Sequence, residues 1–501
     1  MSSRARLGLR VLALASFVMS GACRSKSPQA ALASSVDSGA PFGTVVVGAA
    51  RTDPSAVHVE GRAFRDGQGR QLLFRGYNAK AAPVFDVTFA DGRTANETFD
   101  SFDESGAARF EQMGWNVMRI PVSWSGLEPQ PQQYSQAFLQ KVTDLLALAR
   151  AHHFYVFIDM HQDAYSKEIG EDGQPLWAIV PPPTMLLSGP SDDSRRLSSQ
   201  ALNAGWSFFA DAPATDGRLL QDAFVAAVQQ VVQRVAGDPT VLGFEAFNEP
   251  IVLKQQELDD FHARFAFGVH AIDRDAPILF EPAATRNQTD QAILPDAPWS
   301  NGPGAYSPHI YTGQFSLPTQ NGWASMDPTV LEPSMQNAAN EAAAWGTPLF
   351  VTEFGCDQST SRGALWLSAE LDLQDRFLAS STAWEYSGPG AWGFRGSNEV
   401  EWPATVKTMA RTYPRAIAGD LVAIERPAPG HMLVRYNQTA RTAGLPHEVS
   451  MSSDYATGYQ VLCDGAAVTF TAATGRATFT CPVGSDASAE HTFEVIGTPL
   501  P

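Results

Sequence analysis

Val241-Leu242-Gly243-Phe244-Glu245-Ala246-Phe247-Asn248-Glu249-Pro250 is a mostly apolar run whose only charge before its end is Glu245. Such a run reads as a strand buried on both faces, the pattern of a parallel sheet. Proline cannot continue a hydrogen-bonded ladder, so the strand must stop there and present Asn248 and Glu249 at its C-terminal tip. A second stretch has the same grammar: Pro348-Leu349-Phe350-Val351-Thr352-Glu353-Phe354-Gly355, an apolar strand ending in a carboxylate and then a glycine. In parallel barrels and doubly wound sheets, strand tips of this kind are where chemistry is placed.

Working outward, Leu72 to Gly76 reads as the first strand and Asn116 to Ile120, stopped by Pro121, as the second. Phe138, Val142, Leu145, Leu146 and Ala149 then form the 3.6-residue stripe of a surface helix. Phe154 to Ile158 is a third strand and ends in Asp159-Met160-His161-Gln162-Asp163. An insertion from about Ala164 to Thr215 carries the apolar stretches Trp177 to Val180 and Met185 to Leu187. A helix with Leu220, Phe224, Val228, Val231 and Val235 on one side leads into the Asn248/Glu249 strand, the fourth. Pro277 to Glu281, Ala305 to Tyr311, the Glu353 strand and Ser381 to Glu385 complete eight. Eight apolar strands separated by helical patterns predict an α/β fold, a (β/α)8 TIM barrel, over residues 56–415. A doubly wound sheet would also alternate, but the strand count and the polar tips favour the barrel. From about residue 416 to 501 short strands follow one another at sandwich spacing with no helical pattern, predicting a small C-terminal β-sandwich domain.

The chain of 501 residues is 44% hydrophobic and 18% charged, an ordinary globular composition, with a formal net charge of −18. So acidic a surface repels phosphate backbones and anionic membrane faces, which argues against nucleic-acid binding. Residues 1–22 read as an export signal: Arg4, Arg6 and Arg10 precede an apolar stretch, and Gly21-Ala22 offers a small-residue cleavage site. Cys23 directly after it resembles a bacterial lipoprotein acceptor, although Ser20 stands where Leu is commonest. Lipidation and plain secretion are both compatible with this segment. The expected product is an exported monomer, secreted or anchored at the cell envelope, with 23–55 as a Ser/Ala/Gly-rich tether. Cys463 and Cys481 on neighbouring predicted strands favour a disulfide in such a compartment. Cys356, without an evident His partner, reads as a small buried side chain.

Glu249 and Glu353 are two carboxylates on two strand tips, the pairing that glycoside hydrolysis needs: one to protonate the leaving oxygen and one to attack the anomeric carbon. Asn248-Glu249-Pro250, Thr352-Glu353-Phe354-Gly355, Met118-Arg119-Ile120-Pro121 and the His309/Tyr311 pair, in that arrangement on the strands, resemble glycoside hydrolase family 5. Within it, Asn78-Ala79-Lys80, Met160-His161-Gln162-Asp163 and the appended sandwich resemble the endoglycoceramidase branch. The resemblance implies Glu249 as general acid/base and Glu353 as nucleophile of a retaining mechanism. It also implies Lys80, Arg119, His161, Asp163, Asn248, His309, Tyr311 and Trp384 around the substrate, with Trp384 stacked under a sugar ring. A proton-donating carboxyl needs a raised pKa and the nucleophile must stay ionised, which Arg119 and Tyr311 suit. Glu281 also ends a strand but has no role in this scheme.

The bland readings are an ordinary salt-bridging Arg119, a satisfied core His161, and a structural Lys80–Asp163 pair. His152-His153 lacks metal-ligand spacing and no phosphate-cradling Gly/Lys pattern occurs, so no cofactor or metal is expected. Asn96, Asn287 and Asn437 lie in glycosylation-type triplets. The expected substrate is a glycolipid, because the apolar insertion could hold a lipid chain; the alternative is that the insertion folds back to shield the barrel. Two rival functions stand beside it: an endo-β-1,4-glucanase with an open cleft lined by exposed Trp, and a non-catalytic carbohydrate-binding lipoprotein.

Overall fold

The computed structural model describes residues 48–97, 102–190, 193–292, 302–312, 328–359, 362–386, 392–395, 400–484 and 489–500. The expected leader, Cys23 and most of the tether lie outside the described residues. Eight parallel strands form the barrel: Arg75–Asn78, Val117–Ser123, Tyr155–His161, Val241–Glu245, Ile278–Phe280, a sixth in two pieces (Gly304–Tyr306 and His309–Ile310), Phe350–Phe354 and Ser380–Ala383. Ser307-Pro308 interrupts the sixth. Its first piece pairs with the fifth strand and its second with the seventh, so the sheet closes on itself. Gly76 packs where any added Cβ would meet the Val117 carbonyl at 1.7 Å, so the first two strands can approach only with glycine there.

Helices of the expected periodicity cover the barrel. In Gln136–Ala151 the five stripe residues are all buried and the Ser135 hydroxyl caps the helix through the Phe138 amide. Leu220–Val235 buries its predicted side in the same way.

The strands differ from bottom to top. At the N-terminal end of the barrel, Phe74, Val117, Phe157, Leu279, Ala305 and Phe350 form an apolar plug. Side chains alternate with period two, so the next inward positions up three of these strands are Arg119, Asp159 and Glu281. The lower layer holds the barrel together, and the upper layer carries the charge.

Three boundaries depart from the sequence reading. Leu72 belongs to a separate strand, Gln71–Leu72, and the first barrel strand starts at Arg75. With His58–Glu60 and Ala63–Arg65, that strand joins Pro414–Ile417 in a seven-stranded sheet of the sandwich, so chain from before the barrel completes the domain after it. Its partner is a five-stranded sheet, and Cys463 and Cys481 are disulfide-bonded with Cα atoms 5.6 Å apart. The tether ends earlier than residue 55: Arg51 is buried, donates to the Val241 carbonyl at 2.7 Å and pairs with Asp273 at 2.9 Å. Cys356 is a free, buried thiol.

The insertion divides into a buried part, as the shielding alternative expects, and an exposed part. Trp177 and Ile179 fold back and are buried, Trp177 packing edge-on against Trp124 at 5.1 Å. Met185 and Leu186 stand out into solvent.

Candidate active site

Arg119 is the centre of the upper layer and has no solvent exposure. A buried guanidinium must be paired and hydrogen-bonded on every side. It donates to Glu245 at 2.5 Å, Asn78 at 2.8 Å and Asn248 at 2.9 Å, to Glu353 through Nη1, and lies 3.1 Å from Asp159 and 3.4 Å from Glu281. One cation therefore faces four carboxylates. That excess of negative charge, in a site closed to water, shows in the acidities. Burial pushes Asp159 up to about 6 against the pull of Arg119. Burial, together with the charge of Glu245, pushes Glu281 up to about 8 despite His309 and Arg119.

Glu353 ends the seventh strand. It accepts from Arg119 on one oxygen and from the Tyr311 hydroxyl at 2.6 Å on the other, with His309 Nδ1 3.5 Å away. Glu249 lies four residues beyond its strand, which stops at Glu245 rather than at the proline. It is reached through a left-handed backbone, φ 44°, and its amide donates to Glu281 Oε2 at 3.0 Å. Its side-chain Oε1 meets Asn287 Nδ2 at 2.8 Å and His309 Nδ1 at 2.9 Å, and its Oε2 meets Arg196 Nη1 at 3.4 Å. A carboxyl oxygen of Glu249, a ring nitrogen of His309 and a carboxyl oxygen of Glu353 all lie within 4.8 Å of one another.

The acidity of Glu249 runs against the sequence expectation of a raised pKa. Burial alone would raise it, but the His309 hydrogen bond and the charges of His309 and Arg196 hold it down to about 2. The same carboxylates keep His309 protonated, well above an ordinary imidazole, although burial opposes it. In this arrangement the pair holds its proton on the ring. A shift along one 2.9 Å hydrogen bond would place that proton on Glu249.

The remaining predicted residues fall into two groups. His161 Nδ1 lies 2.5 Å from Asp159, and burial with the charge of Arg119 keeps the ring neutral, down to about 3. Its Nε2 is buried with no hydrogen-bond partner and lies 3.8 Å from the Asp163 carboxylate. Trp384 stacks parallel to His161 at 5.4 Å. Lys80 does not answer to the imagined Asp163 pair: its ammonium lies 2.5 Å from Glu97 and 2.9 Å from Glu385, while Asp163 pairs with Arg196 at 2.9 Å. The Asn248 amide is largely spent, accepting from Arg119 and donating to the Gln162 carbonyl at 3.0 Å, which leaves one N–H for a ligand.

Sequence reasoning missed Asp159, Glu245, Glu281, Arg196 and Asn287. Asp159 and Glu281 were legible by period-two alternation from Phe157 and Leu279. Arg196 arrives on a single turn, Asp193–Arg196, of the aperiodic insertion, and nothing local announces it. Asn287 sits in a glycosylation-type triplet, yet its amide is committed to Glu249. Asn96 is likewise buried and donates to the Lys167 and Glu171 carbonyls, whereas Asn437 is exposed. Among the described residues three His/carboxylate groupings, His161/Asp163/Asp172, Glu245/Glu281/His309 and Glu249/His309/Glu353, are tight enough for a cation. In each, a guanidinium already supplies positive charge, from Arg196 to Asp163, from Arg119 to Glu245 and from Arg119 to Glu353.

The model of the cellulase family (glycosyl hydrolase family 5) matches residues 77–387. Endoglycoceramidase I of Rhodococcus hoagii (strain 103S) is 28% identical over 453 residues, covering 83% of this chain and 84% of that protein. A glucosylceramidase of Aspergillus fumigatus is 27% identical over 243 residues, 39% of this chain and 32% of its own. Among solved structures, endo-glycoceramidase II from Rhodococcus sp. superposes with a TM-score of 0.71 at 24% identity, over 87% of this chain and 99% of that one. At that identity the superposition speaks for the fold.

Proposed function

The chain belongs to glycosyl hydrolase family 5 and is a glycoside hydrolase, and from that premise we propose that it is a retaining β-glycosidase acting on a glycolipid. The observation that carries the mechanism is the closeness of the two carboxyl groups, oxygens within 4.8 Å. Retention needs carboxyl groups about 5–5.5 Å apart, because one attacks the anomeric carbon directly, whereas inversion leaves room for a water at about 6.5–9.5 Å.

Glu353, held in place by the hydrogen bonds from Arg119 and Tyr311, attacks the anomeric carbon. Glu249 receives the His309 proton and passes it to the leaving oxygen as the glycosidic bond breaks. The glycosyl-enzyme ester is then opened by water, which Glu249 deprotonates, while Glu353 leaves as the carboxylate. His161 Nε2 accepts from a sugar hydroxyl, and Trp384 offers its face to the ring.

A lipid aglycone is supported by the relatives, whose names are endoglycoceramidase and glucosylceramidase, and by the exposed Met185 and Leu186 on the insertion that also delivers Arg196 to Glu249. The glucanase reading expects several exposed Trp; among the described residues the exposed large apolar side chains are Leu, Met and Val. Export with lipid attachment at Cys23 belongs to the same proposal, and cell fractionation of wild type against Cys23→Ala tests it.

The deciding experiment offers glycosphingolipids, simple β-glucosides and soluble β-glucans, reading products by mass spectrometry and the first-formed anomer by NMR. Release of a β-configured sugar from the lipid is expected. Glucan cleavage alone would move the substrate to polysaccharide, and an α-configured product would remove the retaining mechanism.

A further inference from the structure

Single exposed apolar side chains are ordinary on any surface, so it is their placement that carries information. In the described structure the well-exposed large ones are concentrated at one end of the barrel. The insertion after the third strand carries Leu176, Met185, Leu186 and Leu197, and the loop after the fourth carries Leu253, which is 64% exposed. Around the rest of the rim, Leu219, Val330, Leu365 and Val400 sit where chain from the third, sixth, seventh and eighth strands enters the next helix. All of these lie at the C-terminal ends of the strands, the end that holds Glu249 and Glu353. The described loops at the opposite end carry none, and the one exception elsewhere is Val483 in the sandwich.

The rim is held in place. Gln200 Oε1 accepts from the Thr184 and Met185 amides at 2.6 and 3.1 Å, Gln200 Nε2 donates back to the Met185 carbonyl at 3.1 Å, and the Leu187 amide donates to Glu168 at 2.9 Å. Beneath the tip runs an open, mainly apolar groove of about 480 Å³ between Leu176, Ile179, Pro182, Pro183 and Leu186. A few residues further on, the same insertion puts Arg196 on Glu249. The apolar lip and the charged site thus share one continuous element.

We propose that this face is an interfacial docking surface for a neutral, zwitterionic lipid layer: the rim side chains enter its outer region and hold the barrel mouth against it. The inference rests on the glycolipid reading and adds to it how the substrate is reached. A glycolipid's sugar projects from the layer while its chains stay inside, so the bond next to the lipid reaches Glu249 only if the mouth is seated on the surface. The occupant is neutral because a chain of net charge −18 is repelled by an anionic one.

The test uses the full chain with phosphatidylcholine vesicles containing a β-glucosylceramide, and phosphatidylserine-rich vesicles beside them. Co-sedimentation and lipid cleavage are compared with hydrolysis of a soluble aryl β-glucoside, which also reports folding. The double variant Met185→Asp/Leu186→Asp and, separately, Leu253→Asp are expected to keep the soluble activity. Both should lose about tenfold or more in vesicle binding and in cleavage of the embedded lipid, as removal of buried apolar area predicts. Val483→Asp should behave as the parent. Variants that bind and cut like the parent, a loss that Val483→Asp shares, or a parent that sediments only with the anionic vesicles would each overturn the docking proposal. Absence of soluble and vesicle activity in the parent would instead remove the glycosidase reading, and soluble activity without any lipid cleavage the glycolipid one.

Discussion

Around Arg119 one guanidinium faces four carboxylates; around Asp375 one carboxylate faces three guanidiniums, Arg75 at 3.2 Å, Arg411 at 2.7 Å and Arg426 at 2.8 Å. Both clusters are largely buried, and their electrostatics run in opposite directions. Asp375 is held down to about 2: burial would raise it, but Arg411, Arg426 and Arg75 outweigh it. Both of its oxygens accept hydrogen bonds. In the Arg119 cluster Asp159 and Glu281 are pushed up, and Asp159 Oδ1 and Glu245 Oε1 are buried without a hydrogen-bond partner. Excess cation makes a rigid joint, here tying the helix Gly363–Arg376 and the first barrel strand to the sandwich strand Asp420–Ala428. Excess carboxylate leaves protons near neutral pH, which suits chemistry.

The largest expected effect is on turnover. Glu353→Ala should lower kcat by on the order of 10⁴-fold or more, since a nucleophile acting in a concerted unit is not replaced by its neighbours. Azide should restore part of the rate with inverted product. Glu249→Ala should spare activated aryl substrates, whose leaving groups need no proton, far more than natural ones. A Glu249 variant equally slow on both kinds would contradict its role as the acid.

Asp375→Asn exchanges the two readouts. It leaves three guanidiniums around a neutral amide, and breaking a buried pair costs roughly 3–5 kcal/mol. Urea unfolding should show that loss while kcat on a soluble glycoside in the folded protein stays near the parent's. A variant that lost turnover without losing stability would merge the two clusters into one.

The pH dependence of stability separates them next. Asp375 is depressed from 3.8 to about 2, so its stabilisation is present above about pH 4 and lost as the pH falls through 2. Those roughly two units correspond to a few kcal/mol. Glu281 is raised from 4.5 to about 8, so its stabilisation is complete below 4.5 and is lost as the pH rises toward 8. Unfolding measured across pH should therefore lose its acid limb in Asp375→Asn and its decline between about pH 4.5 and 8 in Glu281→Gln. If either variant flattened the other's limb, the assignment of the two clusters would fail.

The sequence carried the parts of this contrast that local pattern can hold. Alternation along Val117-Met118-Arg119 and Phe157-Ile158-Asp159 already stacks a charge two residues above an apolar side chain. The helix stripes from Phe138 and Leu220 were equally plain. What escaped depends on contacts between distant segments. Leu72 looks like the start of the strand it precedes, and only its pairing with Ala416 assigns it to the sandwich. The depressed acidity of Glu249 comes from His309 and from Arg196, neither of which is near it in the chain. No propensity places Arg196 there, because an irregular insertion is positioned by what it packs against.

Arg196 offers the smallest and sharpest test, because it adds a cation to the carboxylate-rich site. Its side chain is 39% exposed and 3.4 Å from Glu249, so water screens much of its field, and the effect must be modest. The sign is nevertheless fixed. A nearby positive charge favours the ionised carboxylate, so removing it in Arg196→Ala must raise the pKa of Glu249. The first step needs the proton that the His309–Glu249 pair holds, and a lost cation makes that pair keep it longer. The alkaline limb of kcat/KM for a substrate with a poor leaving group should therefore move to higher pH. About one unit or less is expected, which is up to a tenfold gain on that flank. Arg196→Lys keeps the charge and should return the limb, although it cannot copy the fork that also holds Asp163 and Glu171. A limb that stays put in Arg196→Ala, or moves as far in Arg196→Lys, would show that the insertion acts on the acid through packing rather than charge.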